Sequence, residues 1–369
     1  MRIARVDVFG YDLTYVHGRY VMSRGRVVET LPSTVVRVTT ESGIEGFGEV
    51  CPLGPAYLAS HGGGARAALV ELAPAVVGLP VSNLGAVNEA MDGALAGHGY
   101  AKSAIDTACW DALGRSAGIP VCDLLGGRLS DSFPLYFAVP LASAEEMVAY
   151  VQARRSEGIH RFQLKLGADP HEDAARTRLV VESTGPEDVI VADANGGWRL
   201  QDAVVAARQL EHLERVFFEQ PCPTLEECLI VRQRTTLPMV LDECIGDVHS
   251  LLRAYEAKAL EAFNLKISKV GGLTRAKLMR DLAVALGLRV TIEDTWGGDL
   301  VTAAVSHLAA STPPDTLFTV SFMNDWTNEH VAGHTPRSQA GFGSAPDRPG
   351  LGIDVDTDLL GRALFSAAA

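Results

Sequence analysis

The start of the chain carries a strand-like pattern that gives way to a helix-like one. Apolar and polar side chains alternate through residues 3–13, and residues 33–39 are rich in β-branched side chains, so each segment predicts a strand. Residues 40–46 have the composition of a turn, and residues 47–50 predict a short third strand. From about residue 65 to residue 117 apolar side chains recur three and four positions apart, which predicts helices. Strands followed by helices indicate a compact α+β module.

After Gly126 and Gly127 the pattern changes to short apolar runs that alternate with longer amphipathic segments. The runs predict eight strands, at residues 135–139, 162–166, 189–193, 216–219, 239–242, 262–266, 289–292 and 317–320. Between most of them lie segments with helical periodicity, such as residues 202–213 and 273–286. Eight strand–helix units about 25 residues apart predict a parallel (β/α)8 barrel of the TIM type. The alternative, an open doubly wound sheet such as that of a dehydrogenase, usually carries a glycine fingerprint that this sequence lacks.

We therefore expect an α/β protein in three parts. Residues 1–126 form an N-terminal α+β capping domain, and residues 127–345 form the (β/α)8 barrel that carries catalysis. Residues 346–369 form a tail that packs back on the capping domain.

Composition narrows the class of protein. Of the 369 residues, 47% are hydrophobic and 21% are charged, which suits a large buried core and argues against disorder. The net charge of −13 argues against a nucleic-acid partner, because nucleic acids select basic surfaces. The sequence contains neither a secretory signal nor an apolar run long enough to span a membrane. Its six cysteines lack CxxC spacing, so we expect reduced thiols in a cytoplasmic protein without a membrane partner.

Chemically active side chains stand where the predicted barrel strands end, and barrel active sites form at the carboxyl ends of strands. From the second to the sixth predicted strand these ends carry, in order, Lys165, Asp193, Glu219, Asp242 and Lys266. Three carboxylates that meet at one barrel mouth repel one another unless a cation neutralises them. Because oxygen ligands without Cys or His favour Mg²⁺ over Zn²⁺, the sequence predicts a magnesium site with two lysines beside it.

These motifs resemble the enolase superfamily, in its branch of muconate-lactonizing and mandelate-racemase-like enzymes. Residues 163–165 (QLK) resemble the Lys-x-Lys motif of this branch, and residues 264–272 (NLKISKVGG) resemble its second lysine motif. Residues 193–195, 219–221 and 242–243 resemble its three metal-binding strand ends. The resemblance covers the whole chain. It implies Mg²⁺-dependent removal of the proton alpha to a substrate carboxylate, which gives an enediolate.

The resemblance also implies a role for each residue. The implied metal ligands are Asp193, Glu219 and Asp242, and the implied catalytic residues are Lys165 and Lys266. Gln163 departs from the family pattern, in which many relatives have a first lysine, so the role of base is expected to fall on Lys165. A lysine base must be neutral, and we expect burial and a nearby cation to lower its pKa toward the working pH.

Two lysines on opposite faces of a substrate serve either a racemase or a dehydratase. Residues 98–102, 219–222, 242–244 and 293–299 look like a subgroup that acts on proline derivatives, which includes cis-3-hydroxy-L-proline dehydratases and proline-betaine or hydroxyproline-betaine epimerases. The epimerases are expected to hold a quaternary ammonium with a tryptophan on the last barrel strand, where this chain has Phe322. We therefore prefer the dehydratase, with the epimerase as the alternative. Acid-sugar dehydratases, dipeptide epimerases and a non-catalytic barrel are lesser alternatives, and the resemblance implies a homo-oligomer.

Further residues are candidates for contacts around this centre. The expected contacts to an amino-acid-like carboxylate substrate are Tyr57, Asp294, Trp296 and Phe322. The structural alternatives are a loop tyrosine packed on its own domain, a carboxylate bonded to a neighbouring loop and a buried core ring. The side chains expected to orient ligands and lysines are Gln163, Asn195, Glu243 and Lys269. His17 and Arg19 in the loop at residues 15–28 are candidate lid residues, and a solvated loop is the alternative for each.

Overall fold

The computed structural model describes residues 1–368, so Ala369, the last residue of the predicted tail, lies outside the described part. The first elements are β1 Ile3–Thr14, β2 Tyr20–Val21, β3 Val27–Val28, β4 Thr30–Thr40, β5 Glu45–Val50, α1 Gly62–Val76, α2 Leu84–Ala94 and α3 Gly99–Ala117. The helical stretch predicted for residues 65–117 is thus three helices. Asn83 starts the second, because its side chain accepts a hydrogen bond from the Ala86 N–H.

Strands and helices alternate in the rest of the chain. The strands are β6 Phe133–Pro134, β7 Phe137–Val139, β8 Arg161–Lys165, β9 Val189–Asp193, β10 Val216–Glu219, β11 Met239–Leu241, β12 Ala262–Lys266, β13 Arg289–Glu293, β14 Leu317–Val320, β15 Phe342–Gly343 and β16 Phe365–Ala368. The helices are α4 Val121–Leu124, α5 Ala144–Arg155, α6 Pro170–Glu182, α7 Leu200–Leu210, α8 Leu225–Arg232, α9 Val248–Glu256, α10 Ile267–Val270, α11 Leu273–Leu286, α12 Asp299–Ala310 and α13 Thr357–Leu360. Within residues 1–368, no helix has both the length and the apolarity that crossing a membrane requires.

The capping sheet is antiparallel, with strand order β16-β1-β4-β5. One edge of β1 pairs with β4 along its length, and the other edge pairs with β16 through Arg5 to Val8. Asp7 is buried in this sheet, where its carboxylate accepts hydrogen bonds from Arg5, Arg37 and Ser366. Segments from both ends of the described chain therefore build one sheet.

Two glycines in β5 let α3 lie directly on the capping sheet. A Cβ atom at Gly48 would come 2.1 Å from the Ala104 carbonyl oxygen, and one at Gly46 would come 2.2 Å from the Ala108 carbonyl oxygen. No side chain fits at such distances, so this close approach requires glycine at both positions.

Strands β7 to β14 are the eight strands of the predicted barrel, in chain order and parallel. The sheet closes where Leu135 forms a parallel bridge with Val320 and the Tyr136 N–H donates to the Val320 carbonyl at 2.9 Å. The predicted first strand is therefore divided, since Phe137–Val139 pairs with β8 and the two residues before it pair across this seam. The predicted (β/α)8 barrel with an N-terminal capping domain is confirmed.

Glu49, near the end of β5, joins the capping domain to the barrel. Its carboxylate accepts hydrogen bonds from the hydroxyls of Tyr11 at 2.6 Å and Ser33 at 2.7 Å. It also accepts from the main-chain N–H groups of Gly298 at 3.0 Å and Val301 at 3.2 Å, at the start of α12. Burial raises the pKa of Glu49, and the hydrogen bonds act in the opposite direction. The carboxylate thus acts as the N-terminal cap of a barrel helix.

Candidate active site

The five strand-end residues lie together at the carboxyl end of the barrel. Lys165, Asp193 and Glu219 are register partners on the adjacent strands β8, β9 and β10. Asp242 directly follows β11, and Lys266 ends β12. Each of the five residues exposes between 0% and 6% of its surface. Buried charges of this kind need partners inside the protein.

The two lysines form ion pairs with these carboxylates. Lys165 Nζ donates to Asp193 Oδ2 at 2.5 Å. Lys266 Nζ donates to Asp242 and lies 2.9 Å from Glu293 Oε1. Burial alone lowers the pKa of each lysine, but the nearby negative charges outweigh it and raise the pKa above its usual value. In this arrangement the carboxylates hold the proton on each ammonium group, and the lowered lysine pKa that was expected beside a cation stays a prediction.

Asp193, Glu219 and Asp242 form a row of three carboxylates along adjacent strand ends, and Glu219 occupies its centre. Both of its oxygens accept from Gln163 Nε2 at 3.0 Å, and Oε1 also accepts from Asn264 Nδ2 at 2.7 Å. Burial, followed by the charges of Asp193 and Asp242, raises the pKa of Glu219 well above its usual value. The central carboxylate is therefore held by neutral amides on both sides.

The row suits Mg²⁺ by its chemistry, because all of its donors are oxygens. The three carboxylates do not bring one oxygen each within 4.8 Å of one another in this structure. Beside the row, Asn195 Oδ1 and Glu243 Oε2 are buried and have no hydrogen-bond partner among residues 1–368. Unpaired buried acceptors next to three carboxylates fit a hard divalent cation. The residues present therefore fit Mg²⁺, and the assignment of each ligand stays a prediction.

One other group within the described chain does meet this spacing, formed by His160, Glu187 and Asp188. Arg155 already pairs with Glu187 at 2.7 Å and with Asp188 at 2.9 Å. Because a guanidinium neutralises both carboxylates, we assign no metal to this group.

A narrow cavity lies beside the two lysines. Its walls come from the capping domain and from the barrel. They consist of Tyr20, Met22, Leu53, Tyr57, Tyr136, Gln163, Lys165, Lys266, Glu293, Asp294, Thr295, Trp296, Met323 and Trp326. Five of these side chains are aromatic. The cavity thus combines ring-lined walls with two ammonium groups and buried carboxylates, which suits a small polar molecule with an apolar ring.

Family models match both parts of the chain. Residues 10–126 match the mandelate racemase / muconate lactonizing enzyme N-terminal domain, and residues 146–359 match the enolase C-terminal domain-like family. The chain belongs to the enolase superfamily. The predicted resemblance is therefore confirmed.

Among enolase-superfamily relatives, a cis-3-hydroxy-L-proline dehydratase from Roseibium aggregatum is 45% identical, over 98% of each chain. An N-succinyl-L-Arg/Lys racemase from Bacillus cereus is 27% identical over 98% of this chain and 97% of its own. A solved superfamily member from Roseovarius nubinhibens, complexed with magnesium, is 34% identical, with a TM-score of 0.94 and full coverage of both chains. The first two of these relatives are a lyase and an isomerase, and this chain is an enzyme of that kind.

The structure places three of the four predicted substrate contacts at the cavity and the fourth, Phe322, outside it. The Tyr57 hydroxyl accepts from Lys266 Nζ at 2.9 Å and donates to Asp242 Oδ2 at 3.1 Å. Trp296 and Asp294 line the cavity, but the Asp294 carboxylate already accepts from Ser268 and from the Thr295 N–H.

Burial raises the pKa of Asp294 to about 6. Phe322 is not among the cavity-lining residues, and its ring packs edge-on against Phe133 at 6.0 Å. The contact predicted for Phe322 therefore has no geometric support, because the chain turns after β14 and sends the ring into the core.

The predicted orienting residues surround the carboxylates. Lys269 Nζ donates to Asp242 Oδ1 at 3.0 Å and to the Asp242 carbonyl at 2.7 Å. Burial alone raises the pKa of Asp242, but Lys266 and Lys269 together lower it below its usual value. Asn195 Nδ2 donates to Glu243 Oε1 at 3.1 Å, and burial raises the pKa of Glu243 to about 7. These contacts hold the strand ends in place, as residues behind a metal site do.

Several cavity residues were not predicted. In the loop at residues 15–28, Tyr20 and Met22 face the cavity, whereas His17 and Arg19 are exposed. A short helical turn at Met323–Trp326 places Trp326 in the cavity wall. The sequence pattern does not predict these residues, because the conformations of the loops determine the directions of their side chains. Glu293 does obey the strand-end rule that found the two lysines, so that rule could have identified it.

Proposed function

We propose that this enzyme dehydrates cis-3-hydroxy-L-proline to Δ1-pyrroline-2-carboxylate. The observation that carries the proposal is 45% identity over 98% of both chains to a dehydratase of this substrate. The ring-lined cavity with two lysines supports it, since aromatic walls suit the apolar ring of the substrate and the lysines can exchange protons with it.

The two lysines are proposed to act on opposite faces of the substrate. Lys165 and Lys266 reach the cavity from β8 and β12, the second and sixth of eight strands around the barrel. In cis-3-hydroxy-L-proline the hydroxyl and the carboxylate lie on one side of the ring, and the alpha proton lies on the other. One lysine takes the alpha proton, and the other donates a proton to the departing hydroxyl, which leaves as water. The enamine that remains tautomerises to the pyrroline carboxylate.

We propose that Asp193, Glu219 and Asp242 hold Mg²⁺. When bound, the ion supplies positive charge next to the substrate carboxylate, where negative charge develops as the proton leaves. Lys269 and Gln163 keep the carboxylates at their strand ends through direct hydrogen bonds. Preorganised charge of this kind stabilises the transition state more than the ground state.

One observation favours a second candidate, a 2-epimerase of proline betaine or a hydroxyproline betaine. Trp296 and Trp326 both line the cavity, with ring centroids 5.7 Å apart. Tyr20 lies against both rings, at 5.4 Å from Trp296 and 6.5 Å from Trp326. Such a cluster can bind a quaternary ammonium through cation–π attraction.

Proton NMR in D₂O distinguishes the two candidates. Purified enzyme with Mg²⁺ receives cis-3-hydroxy-L-proline in one tube and L-proline betaine in another. Loss of the hydroxyproline signals with appearance of a pyrroline carboxylate supports the dehydratase, and exchange of the betaine alpha proton without elimination supports the epimerase. Lys165→Ala and Lys266→Ala serve as controls, because each removes one proton-transfer group and is expected to lower turnover by about 10²–10⁴-fold. If neither substrate reacts, the hydroxyproline dehydratase and the proline-betaine epimerase are both wrong.

A further inference from the structure

Glu293 is a buried carboxylate that lines the cavity. It is neither one of the proposed metal ligands nor one of the predicted substrate contacts. It ends β13, and 1% of its side chain is exposed. Its Oε1 lies 2.9 Å from Lys266 Nζ, and its Oε2 accepts a hydrogen bond from the Tyr136 hydroxyl. Each oxygen thus has its own donor, so the orientation of the carboxylate is fixed.

Tyr136 is itself fixed by the barrel seam. Its main-chain N–H bonds to Val320, and its ring packs edge-on against Trp326 at 6.4 Å. Lys266 and Glu293 are register partners on neighbouring strands, whereas Tyr136 reaches them from the start of the first barrel strand. Contacts from Lys266 to Glu293 and from Glu293 to Tyr136 therefore connect β12 and β13 with the start of the first barrel strand, across the seam where the barrel closes.

The other carboxylate that contacts Lys266 has several further partners. Asp242 also accepts from Lys269 at 3.0 Å and from Tyr57 at 3.1 Å, and it is a proposed metal ligand. Among the ion pairs of the described residues, Glu293 pairs with Lys266 alone, through an oxygen that Tyr136 does not use. Among the hydrogen bonds of the described residues, Lys165 donates to Asp193 alone, which is itself a proposed metal ligand. Lys165 therefore has no second carboxylate in the role that Glu293 has for Lys266.

We propose that Glu293 is a positioning residue for Lys266, with Tyr136 as its anchor. It follows that proton transfer on the Lys266 face of a substrate depends on this pair, whereas proton transfer on the Lys165 face does not. The inference rests on the proposed function, because it assumes that the two lysines serve opposite faces of one substrate. Glu293 keeps the Lys266 Nζ directed at that face and does not itself exchange a proton with the substrate.

The test uses L-proline and D-proline, which lack the leaving hydroxyl and present their alpha protons to opposite faces. Exchange of each alpha proton in D₂O is measured by NMR, and Lys165→Ala and Lys266→Ala establish which enantiomer each lysine serves. Glu293→Gln is expected to slow exchange of the Lys266 enantiomer by roughly ten- to a hundred-fold, as expected for losing a hydrogen bond to a charged group. Exchange of the other enantiomer should change less than about twofold.

Tyr136→Phe removes only the anchor, so a smaller loss of roughly three- to tenfold is expected, again for the Lys266 enantiomer alone. Tyr255→Phe is the matched control, because Tyr255 is 39% exposed on α9, and it should change neither rate. Equal slowing of both enantiomers by Glu293→Gln, at an unchanged melting temperature, would overturn the inference. Should that variant fail to fold, Tyr136→Phe carries the same test.

A wild-type enzyme that acts on neither proline nor cis-3-hydroxy-L-proline would refute the proposed function separately. Crystal structures of the Glu293→Gln and Tyr136→Phe variants then decide the inference without any substrate. A Lys266 side chain that leaves its wild-type position in these variants supports the positioning role. A Lys266 side chain that keeps its position in both variants contradicts it.

Discussion

Replacing Glu49 with alanine tests how the capping domain is fixed to the barrel. The carboxylate accepts four hydrogen bonds of 2.6–3.2 Å, two from the cap and two from main-chain N–H groups of α12. Without it, the N–H groups of Gly298 and Val301 lose their acceptor in a buried place. A buried donor without a partner costs about 1–3 kcal/mol, so two donors set a range of about 2–6 kcal/mol.

Water that enters the vacated space will satisfy part of this loss, so we expect Glu49→Ala to lower the free energy of unfolding by about 3 kcal/mol. In domains of 150–250 residues 1 kcal/mol shifts the melting temperature by about 2–4 °C, and by less in longer chains. We therefore expect a decrease of about 3–8 °C, measured by circular dichroism or calorimetry.

Glu45→Ala is the matched control for this prediction. Glu45 begins the same strand, and its carboxylate pairs with Arg37 at 3.2 Å while 41% of its side chain is exposed. An exposed ion pair of this kind contributes about 0–1 kcal/mol. If Glu49→Ala melts no earlier than Glu45→Ala, the carboxylate does not fix the cap to α12 and the reasoning is refuted.

Three further predictions follow from the structure. Burial raises the pKa of Glu49 above 4.5, so the linked stability is present below that pH and is lost as pH rises through the raised pKa. The melting temperature of the wild type relative to Glu49→Gln should therefore fall as pH rises from 4.5, and a constant difference would contradict this. Removal of metal by a chelator should abolish activity, and added Mg²⁺ should restore it. Asp193→Asn should bind Mg²⁺ more weakly than the wild type in a calorimetric titration, and an unchanged affinity would exclude Asp193 as a ligand. Arg26 packs on the Tyr57 ring at 5.6 Å and donates to the Ala56 carbonyl, so it holds the loop that places Tyr57 in the cavity wall. Arg26→Ala should therefore raise KM more than it lowers kcat, and an unchanged KM would contradict this.

The clustering of the five lysine and carboxylate side chains was predictable from sequence because it depends on strand ends alone. In a parallel barrel all strands finish at one mouth, so Lys165, Asp193 and Glu219 become neighbours whatever the loops do. The spacing of apolar runs was enough to locate those ends to within about one residue. The barrel and the capping domain followed from the same periodicity, since strands and helices alternate in one region and are segregated in the other.

The cavity walls were less predictable because loops and turns place them. The predicted wall residue Phe322 follows β14 by two positions, but the turn that starts after it brings Trp326 to the cavity instead. Asp294 was expected to contact the substrate, yet its oxygens accept hydrogen bonds from Ser268 and Thr295, a local arrangement that periodicity does not encode. The domain boundaries at residues 126 and 345, the cytoplasmic location and the homo-oligomer stay predictions.

The strand β16 has a consequence for synthesis on the ribosome. β1 emerges early, but its partner on one edge, Phe365–Ala368, is made long afterwards. At about 5–20 residues per second, that edge stays open for roughly 20–70 s. An open edge can template aggregation, and charged side chains on it oppose this. Arg5 and Asp7 supply such charges, so the residues that later bond to Ser366 also oppose aggregation of the nascent chain until β16 has been made.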